Sequence, residues 1–95
     1  MEAKMVAAKL LHTLGMADSA LGVYSRALAE DQNNLYAVEM HKERGLIFEE
    51  KEDWRSARSE YDAILGMTQS SDLSHVWAEQ KASAVSVKMG GGRGR

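Results

Sequence analysis

Apolar and small residues recur along this chain at intervals of three and four, and strict alternation is scarce. Ala20, Tyr24, Ala27 and Leu28 form one such run, and Ala57, Tyr61, Ile64 and Leu65 form another. This spacing gathers the apolar set on one stripe of an α-helix, whereas a half-buried strand would alternate at every second residue. Five helices are predicted, over 2–14, 18–30, 34–50, 53–66 and 71–89. Gly15 separates the first from the second, and the polar stretches DQNN (31–34) and TQSSD (68–72) supply turns further on. Asp18 and Asp53 are predicted N-caps, Gly66 a left-handed helix stop, and a Ser or Asp the start of the last helix.

The chain also resembles itself at an offset of 37 residues. Ala8 falls on Gly45, Leu11 on Phe48, Ala20 on Ala57, Tyr24 on Tyr61, Ala27 on Ile64 and Leu28 on Leu65, and a further step reaches Ala82 and Val85. A fixed period in this range marks stacked helical hairpins. Small residues at Ala8, Ala20, Gly45 and Ala57 let helix backbones approach closely. Phe48, Trp54, Tyr61 and Ile64 are then expected to fill the space around that contact, each contributing about 1.5–3 kcal/mol when buried.

Two sets of residues resemble the tetratricopeptide repeat (TPR) family. One is GMADSALGVYSRALAEDQNN, with a turn glycine, Ala20, Tyr24, an RAL triplet and a closing acidic–Asn turn; the other is Gly45, Phe48, Trp54, Ala57, Tyr61 and Ile64. The likeness covers residues 2–89, as one repeat over 2–33, a second over 34–70 and the first helix of a third over 71–89. It departs from the family in its period, which is 37 where about 34 is usual. Gln32 and Gln69 stand where a unit-closing proline is typical, and the first helix lacks the family's tryptophan. The longer period places extra residues near 35–37 and 72–74. The resemblance implies an all-α fold of antiparallel helix hairpins, stacked as a short right-handed solenoid of five helices.

It further implies a concave face lined by the first helix of each hairpin. The residues so placed include Met5, Lys9 and His12, then Glu39, Lys42, Leu46 and Glu49, then Glu79. That mixed-charge, acid-leaning surface suits a peptide or helix of a protein partner. The Lys-x-x-x-Asn pair by which some family members hold acidic chaperone tails is missing: Lys4 is followed four residues later by Ala8, and Lys9 by Thr13. Lys81 likewise precedes Val85 where that subtype carries arginine.

Composition narrows the alternatives. The chain has 95 residues, 44% of them hydrophobic and 27% charged, which suits one small globular domain over 1–89. A formal net charge of −2 gives no global attraction to nucleic acid or an acidic membrane. There is no cysteine, hence neither a disulfide nor a thiolate nucleophile. No apolar run approaches the roughly 18 residues of a membrane span. The opening MEAKMVAAKLLHTLGM interleaves charge and reads as a helix of the mature chain rather than a signal peptide, so a cytoplasmic location is the default and a nuclear one stays open. The last residues, GGGRGR (90–95), read as a flexible tail with too few arginines for useful phosphate binding.

Candidate chemistry is sparse. His12, His41 and His75 lack the i, i+3 or i+4 spacing of a metal site. The acidic cluster Glu49–Asp53 is expected to be a solvated helix end with Asp53 as cap. The serines have no nucleophile-elbow context, and GMADSALG lacks the Lys-Ser/Thr of a phosphate loop. The scattered methionines are expected to fill gaps in the core. Neither catalysis nor a cofactor is therefore expected. The last helix has no partner after it, so Val76, Trp77, Val85 and Val87 are expected to support self-association or docking. The reading is a non-catalytic scaffold or adaptor that binds a protein segment. The alternative is a structural part of a larger helical-repeat assembly with no ligand of its own.

Overall fold

The computed structural model describes residues 1–90, and the tail expected beyond Gly90 lies outside them. Five α-helices make up the described chain, with no strand among these residues: α1 (Glu2–Thr13), α2 (Ala17–Glu30), α3 (Ala37–Glu50), α4 (Trp54–Met67) and α5 (Leu73–Lys88). The all-α expectation holds.

Helix ends differ where polar side chains and glycines behave otherwise than predicted. Gly15 takes the left-handed conformation at φ 82° and closes α1, its N–H donating to the His12 carbonyl. α2 then starts at once, so Asp18 falls inside its first turn and pairs with Lys51 at 2.7 Å instead of capping. α3 begins at Ala37, later than predicted, because Asp31 and Asn34 bond the intervening backbone. The Asn33 N–H donates to Asp31 Oδ1 at 3.0 Å, and the Tyr36 N–H to Asn34 Oδ1 at 2.7 Å. Such side chains compete with helical hydrogen bonds and hold turns. Asp53 does cap α4, accepting from the Ser56 N–H at 3.3 Å. Gly66 does not stop that helix; it lies within it, and only Gly15, Gly90 and Glu52 have positive φ among the described residues. Asp72 precedes α5 but accepts from the Gln69 N–H at 3.1 Å, bracing the turn before the helix rather than the helix itself.

Each helix packs against the next in chain order. The first core cluster joins Met5 and Ala8 of α1, Ala20, Tyr24, Ala27 and Leu28 of α2, and Ala37, Met40 and Ile47 of α3. The second joins Ala57, Tyr61 and Ile64 of α4 to Ala78, Ala82 and Val85 of α5, with Val38 and Phe48 of α3 against it. The small residues at 8, 20, 45 and 57 are all buried. At Gly45 the reason is direct: a Cβ there would stand 2.5 Å from Cε1 of Tyr61. Of the six methionines only Met5 and Met40 are buried, which corrects the expectation that most fill the core. The body measures 44 × 31 × 19 Å, so its thinnest dimension is about two helix diameters.

Candidate functional site on the face of α1, α3 and α5

Side-chain pairs tie the alternate helices together across one surface. From α1 to α3, Lys9 Nζ lies 3.5 Å from Glu39, and His12 Nε2 lies 2.9 Å from both carboxylate oxygens of Glu50. From α3 to α5, Lys81 Nζ lies 2.9 Å from Glu49, and the Lys42 ammonium stands 5.0 Å from the centre of the Trp77 ring. Five of the sequence-predicted residues (Lys9, His12, Glu39, Lys42 and Glu49) thus share this surface. Leu46 is half-buried on the same α3, and Glu79 is exposed on α5, 3.8 Å from His75. Met5 does not belong here. It is only 5% exposed and packs with the first core cluster.

The charges of this face are already partnered, which orders their side chains without removing them from water. Burial raises the Glu43 pKa; Lys9 draws it back and the neighbouring Glu39 raises it again. Glu49 is no merely solvated helix-end acid: it accepts the Tyr61 hydroxyl as well as pairing with Lys81. Burial, and then that hydrogen bond, hold the Tyr61 hydroxyl well above the ordinary tyrosine range. The surface therefore offers fixed carboxylates, ammonium groups and an aromatic edge. Among the described residues no group of three His, Asp or Glu side chains is arranged to hold a metal.

Two residues expected at a docking surface are spent within the chain. Val85 is buried in the second cluster. Trp77 packs edge-on to Tyr61, ring centres 5.4 Å apart at 85°, with Lys42 and Lys81 over its indole. Both lie on the side of α5 that meets α4, together with Ala78 and Ala82. Val76 and Val87 do stay exposed, at 41% and 67%.

A buried charge cluster between α3 and α4 went unread in the sequence. Glu60, 8% exposed, faces His41 Nδ1 at 2.8 Å and forms an ion pair with Arg44, whose Nη2 lies 3.2 Å from its carboxylate. The Arg44 Nε–H is buried without a partner. A signal existed: Glu60 lies three residues after Ala57 and four before Ile64, on the apolar stripe itself. Beside it, a cleft of about 320 Å³ is lined by Leu28, Asn33, His41, Arg44 and Met67. A second cleft, about 310 Å³, opens between α1 and α2 over Ala3, Ala7 and Val23, with Lys4, Arg26 and Glu30 around it.

The chain matches no family model, no curated protein and no solved structure. No helix is long and apolar enough to cross a membrane.

Proposed function

We propose that the chain is a non-catalytic interaction module of TPR type that binds a peptide or helix of a partner protein across α1, α3 and α5. The observation that carries this reading is the set of pairs Lys9–Glu39, His12–Glu50 and Lys81–Glu49, which align three helices into one surface with ordered charges. Glu39, Glu43, Glu49 and Glu50 give it an acidic lean, so the fitting ligand carries basic residues beside an apolar one that meets Leu46. The 37-residue register of Ala8, Ala20, Gly45 and Ala57, all buried, supports the TPR likeness. The absence of a convergent nucleophile, base and orienting group on this face supports a role without chemistry of its own. The cytosol remains the proposed location.

A second reading, a structural part of a larger helical assembly, is favoured by a different observation. Large apolar side chains are exposed on α1 and α5, the two outer helices. Peptide-array screening followed by calorimetry separates the two. Binding of basic peptides, weakened at least about tenfold by Glu50→Lys or Glu39→Lys with helicity unchanged, is the expected result. Binding that is absent, or indifferent to both changes, would remove the groove reading.

A further inference from the structure

The polar trio of Glu60, His41 and Arg44 has no counterpart at the repeat-related positions. Stepped back by 37 residues, Glu60 falls on Val23, Arg44 on Ala7 and His41 on Lys4. Those three meet in space too, because they line the 310 Å³ cleft between α1 and α2. The two clefts are one position in successive hairpins: Lys4, Ala7, Arg26 and Glu30 of the first correspond to His41, Arg44, Ala63 and Met67 of the second. A further step puts Ala78 and Lys81 at the places of His41 and Arg44. In the first hairpin Ala7 and Val23 are apolar, and Lys4 is closed off by its ion pair with Glu30. The hairpin therefore packs without the trio. Buried ion pairs stabilise little compared with apolar residues of like volume, so the charges of the second hairpin call for another use.

That use shows in what the cleft leaves open. Its polar lining is the Arg44 guanidinium, the His41 ring and the side-chain amides of Gln32 and Asn33, with no carboxylate. Glu60 stands behind this lining, 2.8 Å from His41 Nδ1 and 3.2 Å from Arg44 Nη2. More than nine-tenths buried, it holds both groups in place. The ring keeps Nε2 for a ligand, and the guanidinium, with five N–H donors, meets one carboxylate only. The Arg44 Nε–H is buried without a partner, and among the described residues the Gln32 and Asn33 amides have none. Leu28, Ala63 and Met67 supply the apolar part of the lining. At about 320 Å³ the space is at the small end of ligand sites.

We infer that this cleft binds a carboxylate on a short apolar stem. The acid group meets Arg44, His41 and the two amides, and the stem lies against Leu28, Ala63 and Met67. Guanidinium and carboxylate pair through parallel N–H···O bonds. A single guanidinium, partly engaged by Glu60, suits one negative charge rather than the nearly two of a phosphate monoester. A free short-chain acid and the C-terminus of a polypeptide ending in an aliphatic residue offer this same chemistry. The inference does not depend on the peptide-binding reading, since His41 and Arg44 lie on a different flank of α3 from Leu46 and Glu49.

Amide chemical-shift titration of the isotope-labelled chain tests it. The probes are hexanoate and hexanamide, and an acetylated tripeptide ending in leucine with a free or an amidated C-terminus. At least one of the two acids is expected to give saturable shifts at Asn33, His41 and Arg44, with its neutral amide at least about tenfold weaker. The tighter acid distinguishes a free small molecule from a chain terminus as the source. Two variants keep the test independent of folding. Ala63→Phe fills the cleft and leaves every donor, and the double change Arg44→Ala with Glu60→Val copies the first hairpin. Each is expected to weaken binding at least about tenfold with helicity retained by circular dichroism. The inference is overturned if neither acid gives saturable shifts at the cleft, if the amides bind as well as the acids, or if either folded variant binds like the wild type.

Discussion

At position 45 a methyl group has nowhere to go. A Cβ there would meet Cε1 and Cζ of Tyr61 at 2.5 and 2.7 Å, and both residues are buried. Gly45→Ala is expected to cost about 1–3 kcal/mol by overpacking, despite the better helix propensity of alanine. Gly66 also sits in a helix, but nothing lies within 4 Å of its would-be Cβ, so Gly66→Ala is expected to add about 0.5–1 kcal/mol. Urea unfolding of the two variants reads the opposite signs. The repeat-related tyrosines form a second contrast. Tyr61 donates to Glu49, whereas the Tyr24 hydroxyl is buried with no partner and is held protonated by burial and by Glu43 and Glu39. Tyr61→Phe should lose about 1 kcal/mol, and Tyr24→Phe should be neutral or gain up to about 1 kcal/mol, by the same measurement. The small residues and both tyrosines were legible as core from their spacing. The hydroxyl partners were not, because spacing along one helix says nothing of which side chain waits on the next.

Between α3 and α4 the decisive element-scale contact is polar. Glu60 lies on the apolar stripe of α4, faces His41 and pairs with the Arg44 guanidinium of α3. Glu60→Ala leaves a mostly buried guanidinium uncompensated and is expected to cost about 3 kcal/mol, read as a lowered denaturation midpoint. A double change of Glu60 and Arg44 to apolar residues should restore much of that loss, which a mutant cycle would measure. The number, order and kind of elements were readable from three-and-four periodicity. Their starts were less so, since Asp31 and Asn34 stabilise a turn that helical propensity alone does not reveal. The sidedness of α5 was misread for a related reason. Trp77 and Val85 are apolar and the helix has no successor among the described residues, yet α4 already claims that side.

Across the whole molecule α3 is the shared member, with Met40 and Ile47 in one cluster and Val38 and Phe48 against the other. A chain so joined should unfold as one unit. Met40→Ala, at a fully buried site of the first cluster, is expected to cost about 2–4 kcal/mol. Amide hydrogen exchange should then quicken in α5 as much as in α1; acceleration confined to α1–α3 would mean two separable units. The surface shared by α1, α3 and α5 was legible in part. Lys9, His12, Glu39, Lys42 and Glu49 were placed on it by repeat position, but that they would pair helix to helix depends on how the hairpins are set side by side. Trp77 adds a practical consequence. Its indole lies at that face beneath the ammonium groups of Lys42 and Lys81, so a partner that draws either lysine away alters the field around the ring. With Trp54, the other tryptophan, changed to phenylalanine, the protein carries its own optical reporter: a shift in Trp77 emission would follow occupancy of the face in solution, with no label attached.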